Sequence, residues 1–136
     1  MANALYAKAK EAFLGADLDL LNVTLKTALV KNTYSVDLVN HEFLSDVGTA
    51  NIAATSFALE QIKIDDGVFD AENETIENYG TSGFAYLIIY QDSGLSSTSR
   101  LIAYIDTADG LPVNSTNETI SITIQWSDLA TKIFSL

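Results

Sequence analysis

The strand patterns in the second half of the chain constrain its fold most strongly. In TISITIQW, residues 119–126, isoleucines and the single tryptophan alternate with threonine, serine and glutamine. Side chains of a β-strand point alternately to opposite faces, so this segment predicts a half-buried strand. The segment FAYLIIYQD, residues 84–92, is apolar on both faces, as expected of a central strand that is covered on both sides.

Similar patterns predict five more strands in the rest of the chain: NVTLKTALV, TSFALEQIKI, VFDAENETIEN, RLIAYID and KIFSL. Between the second and third of these, Asp65, Asp66 and Gly67 make an Asp-Gly turn, which indicates a β-hairpin. We expect KIFSL to pair at a sheet edge. About seven strands separated by turn residues favour a mainly β fold, an antiparallel β-sandwich or barrel-like domain.

The first fifteen residues predict a short α-helix, with Asn3 as its N-cap and Gly15 as the residue that ends it. One face of this helix is apolar and carries Leu5, Ala9, Ala12 and Phe13. A helix of about three turns is unstable alone, and it lies outside the predicted strands, so the sandwich can close without it. We therefore predict a single β-rich domain, residues 1–136, with a helix in 1–15 and the β-domain in 20–136.

The apolar face of the predicted helix must be covered by something. Because it lies outside the strand pattern, we predict that Leu5, Ala9, Ala12 and Phe13 contact another subunit or a larger assembly. The alternative, in which the helix packs on its own sheet, stays open.

The charge of the chain excludes several kinds of partner. It has 18 acidic and 7 basic residues, a net charge of -11. Binding to nucleic acid depends on clustered lysine and arginine, so neither nucleic acid nor an anionic membrane is an expected partner. The apolar run FAYLIIY is far too short to span a bilayer. Without cysteine, the chain has no disulfide, thiolate metal site or thiol nucleophile.

The sequence contains little that indicates catalysis. Its one histidine, His41, stands beside Glu42 in a polar segment, where a hydrogen-bonded structural role is the usual one. No serine lies in a G-x-S-x-G motif, and no glycine-rich phosphate loop occurs. We therefore predict a protein that is not an enzyme and holds no cofactor.

One acidic stretch offers oxygen ligands of the kind that Ca²⁺ prefers. The candidates surround the predicted hairpin: Asp65, Asp66, Asp70, Glu72 and Glu74. We favour a simpler interpretation, in which these carboxylates form a charged outer face that discourages edge-to-edge pairing. No metal site is therefore predicted, although a calcium-dependent carbohydrate-binding module remains an alternative.

Sequence blocks along nearly the whole chain carry a family resemblance. They are the opening MANALYAKAKEAFLGADLDL, then LKTALV, HEFLSDV, AYLIIYQDSG, TSRLIAYIDTADGLPV, ISITIQW and KIFSL. In this order they resemble small virion proteins of tailed bacteriophages. Two loops depart from the family pattern, because NSTNET replaces a glycine-rich turn and SDLAT replaces a segment with Gly-Pro.

The resemblance implies a structural protein without enzymatic activity. It points first to a capsid decoration, or cement, protein that binds the outer head lattice and stabilises it. The implied partners are the major capsid protein and further copies of the same chain in a homotrimer. The implied location is the capsid surface of the virion, after synthesis in the host cytoplasm. A neck, tail or fibre component of the virion is the alternative within the family.

Overall fold

The structure is a computed structural model. It describes residues 4–56, 58–71, 74–80, 83–106, 120–124 and 134–135, and the strands within 74–80, 120–124 and 134–135 by their backbone alone. The described residues form ten strands: β1 (Ala4–Leu5), β2 (Leu25–Val30), β3 (Ile52–Thr55), β4 (Lys63–Asp65), β5 (Val68–Asp70), β6 (Glu74–Gly80), β7 (Tyr86–Gln91), β8 (Leu101–Ile105), β9 (Ile120–Ile124) and β10 (Phe134–Ser135). They also form α1 (Ala7–Leu14), α2 (Leu44–Val47) and a 3₁₀ turn (Thr49–Asn51).

The predicted fold class is confirmed. The fold is mainly β and antiparallel, with one short helix near the N-terminus, and it is sandwich-like rather than a closed barrel. The largest sheet has the strand order β1-β8-β7-β2-β3. A three-stranded sheet, β10-β5-β4, and a two-stranded sheet, β6-β9, complete the described strands.

The central strand of the largest sheet is β7, in the segment that the sequence predicted to be covered on both faces. It pairs with β2 on one side and β8 on the other. Ile88 and Ile89 point to opposite faces of the sheet, and both are fully buried. In strand β2, the neighbouring residues Thr27 and Ala28 are also both fully buried. The main sheet is therefore covered on both sides at its centre.

The predicted hairpin and edge strand are both present. Strands β4 and β5 pair antiparallel, and Asp66 and Gly67 between them have φ angles of 50° and 77°. Two successive positive φ angles define the type I′ turn that suits the twist of a two-residue hairpin. Phe134 of β10 pairs with Phe69 of β5, so β10 lies at an edge of its sheet, as expected.

Two predicted strands are each divided in the structure. TSFALEQIKI was interpreted as one strand, but β3 ends at Thr55 and β4 begins at Lys63. Between them Gln61 has a φ of 52°, and the amide of Leu59 donates to the carbonyl of Leu25 at 2.7 Å. VFDAENETIEN likewise becomes β5 and β6, in different sheets. Period-2 alternation predicts extended backbone, but it does not show where the chain changes its partner strand.

The N-terminal helix begins later than predicted. Ala4 and Leu5 form β1 and pair with Tyr104 and Ala103 of β8, and the helix starts at Ala7. The proposed cap, Asn3, lies outside the described residues. Pairing with a sheet edge satisfies the backbone groups that a first helical turn leaves without partners, which explains why tertiary structure overrides the local helix preference here.

The end of the helix also differs from the prediction. Gly15 was expected in the left-handed position after the helix, but its φ is -86°, whereas Ala16 has a φ of 61°. The amide of Asp17 donates to the carbonyl of Ala12 at 2.8 Å, and that of Ala16 to Phe13 at 3.2 Å. These two bonds form a Schellman motif, with an alanine where glycine is usual.

The apolar face of α1 is covered by the chain's own core. Leu5, Ala9 and Ala12 are buried, with Ala9 fully inaccessible, and Phe13 is partly buried against the same core. The helix packs on β8. The premise that this face lies open for a partner was therefore wrong for the first three residues. The small side chains of Ala9 and Ala12 allow α1 to approach the sheet closely, whereas Leu5 belongs to β1 of that sheet.

A hydroxyl in β2 yields a test of core energetics. Thr27 is fully buried, and its Oγ1 has no hydrogen-bond partner among the described residues. Replacing a buried hydroxyl that lacks a partner with a methyl group removes a desolvation cost. Thr27→Val is therefore expected to raise the free energy of unfolding by about 1 kcal/mol, measured by urea denaturation. Thr24→Val, at an exposed site on the same segment, is the control, and a loss of stability in Thr27→Val would contradict the expectation.

Three carboxylates make the stability of the fold depend on pH. A hydrogen bond from the side chain of Asn40 lowers the pKa of Asp37. Hydrogen bonds from the backbone amides of Phe43 and Glu42 lower the pKa of Asp46. The ammonium group of Lys26, 2.8 Å from the carboxylate, lowers the pKa of Asp92. A group whose pKa is lower in the folded state contributes stability above its unfolded pKa, and this contribution is lost as pH falls through the folded pKa.

We therefore expect the free energy of unfolding to decrease as pH falls below the ordinary Asp value of 3.8. Asp46→Asn and Asp92→Asn should each flatten this decrease, because each removes one titrating group. Urea denaturation at a series of pH values measures it. If the variant that carries both substitutions shows the same pH dependence as the wild type, these two carboxylates do not account for the loss of stability at low pH.

Candidate interaction surface

An apolar groove lies between the end of α1 and the β4–β5 hairpin. We call it the hairpin groove, and it encloses about 450 Å³. Its large apolar side chains are Phe13, Leu18, Leu20, Ile64, Val68 and Phe69. Pockets that enclose a ligand have volumes of ~300–1,000 Å³, so the hairpin groove has room for at least one large side chain.

The floor and the rim of the hairpin groove differ in exposure. Leu18, Leu20 and Phe69 are buried and form the floor. Phe13 is partly buried, and Ile64 remains 48% exposed on the outer strand of the hairpin. A β-branched side chain left half in water can bury further apolar area if another molecule covers it. The groove is therefore built on the fixed core and has a rim that can gain contacts.

The polar part of the rim is acidic. Asp19 lines the groove and is held in place, because its carboxylate accepts hydrogen bonds from the amide of Leu21 at 3.1 Å and from the side chain of Asn22 at 2.5 Å. Asp17 and the hairpin residues Asp65 and Asp66 are exposed nearby along the chain. One carboxylate thus lines the apolar groove, and three more lie on the segments that form its walls.

Local sequence explains how the groove is built. The segment ADLDLL alternates aspartate with leucine after the helix, and Leu18 and Leu20 are buried whereas Asp17 and Asp19 are exposed. The Schellman motif at Ala16 turns the chain so that this segment runs beside the helix end. The β4–β5 hairpin forms the other wall of the groove. Its Asp-Gly turn fixes the strand register so that Ile64 lies opposite Phe69.

The predicted contact residues separate into two groups. Phe13 lines the hairpin groove, whereas Leu5, Ala9 and Ala12 are buried in the core and do not. The buried leucines and the hairpin wall were missed at the level of sequence. The alternation in ADLDLL was a usable signal for one wall. Nothing in the sequence showed that the hairpin would fold against it.

The candidate calcium ligands do not form a cluster in the part of the chain that is described. Asp65 and Asp66 lie at the hairpin turn, and Asp70 lies at the other end of β5, where its Oδ1 accepts from the amide of Ala71 at 2.9 Å. Glu72 lies outside the described residues, and Glu74 is described by its backbone alone. Among the described side chains, no three His, Cys, Asp or Glu residues are placed to hold a metal ion.

The one histidine belongs to a hydrogen-bonded chain of side chains, as predicted for a structural role. The Tyr34 hydroxyl lies 2.8 Å from Nδ1 of His41 and 3.0 Å from the hydroxyl of Tyr6, and the Tyr34 and His41 rings stack at 5.6 Å. Burial raises the pKa of Tyr6 and of Tyr34, so both hydroxyls stay protonated. This chain of bonds joins Tyr6, directly before α1, to the segment before α2.

Arg100 anchors the same segment to the sheet. Its guanidinium lies 3.2 Å from Oε1 of Glu42 and packs over the ring of Phe43 at 5.6 Å. Phe43 also forms a β-bridge with Arg100, and the amide of Leu44 donates to the carbonyl of Ser99 at 2.7 Å. The arginine is therefore occupied by structural contacts and contributes no free basic site.

Comparison with protein-family models, curated proteins and solved structures finds no match to this chain. Within the part of the chain that the structure describes, no helix has the length and apolar character needed to cross a bilayer.

Proposed function

We propose that this chain is a structural protein of a tailed-bacteriophage virion, without enzymatic activity, and that it decorates the outer head lattice. The resemblance of sequence blocks in the same order along nearly the whole chain supports the family. The structural observation that supports a binding role is the hairpin groove, an apolar site with a buried floor and a half-exposed rim.

A decoration protein acts by binding, and the fold suits that task. Stabilising a lattice requires a subunit that does not deform when it bridges its neighbours. The main sheet meets this need, because its central strands are buried on both faces and pair over most of their length. In this proposal the partner is the major capsid protein, and the location is the capsid surface after synthesis in the host cytoplasm.

The homotrimer remains part of the proposal on the resemblance alone. The helix face that was expected to join subunits is buried within the subunit, so it no longer supports self-association. Light scattering of the purified protein over a range of concentrations measures its state in solution. Imaging of the particle shows whether three copies meet on the lattice.

Copy number in purified virions tests the decoration role. Densitometry of separated virion proteins is expected to show this chain in amounts comparable to the major capsid protein. Particles that lack the chain should bind the purified protein until the same ratio is restored, and they should become more resistant to heat. A small number of copies per particle would instead identify a neck, tail or fibre component. Absence from the particle would refute the virion assignment.

A further inference from the structure

We infer that the hairpin groove binds a large apolar side chain carried on a positively charged segment of a different protein. The inference deepens the proposed function and rests on it in one respect, since the segment would then belong to the capsid lattice. The occupant is defined by two features of the site, its apolar interior and its acidic rim.

The apolar interior requires an anchor residue. The floor of Leu18, Leu20 and Phe69 is already packed and buried, so it is formed before a partner arrives. A pocket of this kind concentrates binding energy in one inserted side chain, surrounded by weaker contacts that exclude water. The half-exposed Ile64 and the partly buried Phe13 stand where such a side chain would meet the groove walls.

The rim determines the charge of the segment that carries the anchor. Asp19 lines the groove, and Asp17, Asp65 and Asp66 are exposed on the segments that line it, against two exposed cations on the same elements, Lys10 of α1 and Lys63 of β4. The other basic residue of α1, Lys8, is paired with Glu11 at 3.3 Å. Complementary charge speeds association and excludes partners of the same sign. Lysine or arginine beside the anchor is therefore favoured, and an acidic segment is disfavoured.

The same charges argue against a second copy of this chain as the occupant. Two copies joined through the groove face would bring their acidic rims together, since a two-fold interface uses the same patch on both subunits. A head-to-tail contact would need an exposed apolar residue with basic neighbours. Leu14 and Leu21 are also exposed, but they adjoin the lining residues Phe13 and Leu20, so a contact through either would again bring two groove faces together. Away from the groove, Val39 and Leu95 are the large apolar residues exposed among the described side chains, and neither residues 36–42 nor residues 92–98 contain lysine or arginine.

Titration of the full chain with short peptides tests the inference without any capsid. The probe is a synthetic peptide with a central phenylalanine flanked by lysines. Its binding is measured by two-dimensional NMR of the isotope-labelled protein. We expect shifts confined to residues 13–20 and 64–69, and binding that weakens several-fold when salt rises from about 0.05 M to about 0.5 M. Two matched peptides serve as controls, one with glutamates in place of the lysines and one with serine in place of phenylalanine.

Variants of the groove give the second measurement. Ile64→Ser removes apolar rim area and should weaken binding of the lysine-flanked peptide about fivefold. Asp19→Asn keeps the oxygen that accepts a hydrogen bond from the amide of Leu21 but removes the charge. It should weaken binding of the lysine-flanked peptide about two- to fivefold. The matched controls are Leu95→Ser, at an exposed apolar site, and Asp37→Asn, whose carboxylate accepts similar local bonds away from the groove. Neither control should change binding.

The outcomes separate the inference from the proposed function. Equal binding of the glutamate-flanked peptide, equal binding of the serine peptide, or shifts outside the groove would overturn the inference. So would groove variants that lose the peptide yet bind capsids normally, although the decoration role would then stand. If the peptide binds as expected but virions contain none of this chain, the chemistry of the groove stands and its assignment to a capsid partner fails.

Discussion

Deleting residues 1–15 is expected to abolish the cooperative unfolding transition of this chain. The deletion removes β1 from the edge of the main sheet and leaves the carbonyl of Ile102 without the amide of Tyr6, now 3.0 Å away. It also removes Tyr6, whose side chain is fully buried, and the contact of α1 with β8. Loss of one buried aromatic side chain typically costs ~3–5 kcal/mol, against a total stability of ~5–15 kcal/mol for a domain.

Thermal denaturation followed by near-ultraviolet circular dichroism measures this effect. The matched control is Leu14→Ser, a substitution within the same helix at a side chain that is 91% exposed, and it should melt like the wild type. A truncated chain with a normal transition would show that the β-domain is stable without the helix. The helix face would then be available for contact with another subunit, as the sequence had suggested.

Tyr34→Phe is expected to lower the free energy of unfolding by about 2–3 kcal/mol. The substitution leaves the ring in place but removes the hydroxyl that bonds both Tyr6 and His41. Tyr6 is fully buried, so its own hydroxyl would lose this partner in an apolar setting. A buried polar group deprived of its partner costs more than the net gain from the bond itself.

The double variant Tyr6→Phe with Tyr34→Phe distinguishes a hydrogen-bond effect from a packing effect. Removing both hydroxyls of a buried pair is close to neutral, so the double variant should be no less stable than Tyr34→Phe alone. Denaturant unfolding of the wild type, the two single variants and the double variant gives the coupling energy. Simple addition of the two single effects would show that the hydroxyls do not act as a pair.

The strands of the main sheet were predictable because their burial pattern is local. A strand covered on both faces, such as β7, must be apolar at every position, and the Asp66–Gly67 turn requires two residues that tolerate positive φ. Both features are visible in any short window of sequence. The division of residues 55–64 into β3 and β4 was not predictable in this way, because both halves favour extended backbone and differ in their partner strand.

The hairpin groove shows the same limit for a binding site. Phe13 was predicted as a contact residue from its place on the apolar face of the helix, and the hairpin was predicted from its turn residues. Their proximity depends on how the end of α1 is turned at Ala16 and on the sheet into which β5 is paired. The turn at Ala16 is set by bonds within residues 12–17, but Phe13 and Ile64 are about fifty positions apart, and no local pattern encodes that they meet.

By itself the sequence determined the fold class, the hairpin, the central strand and the acidic surface, because side-chain period, turn chemistry and charge are properties of neighbouring residues. The tertiary structure alone decided that Ala4 and Leu5 form a sheet edge, that Ala9 and Ala12 face their own core, and that Phe13 joins Ile64 and Phe69 around one cavity. The reason is that an apolar residue only needs to be covered. Which surface covers it depends on how all the helices and strands pack together around the core.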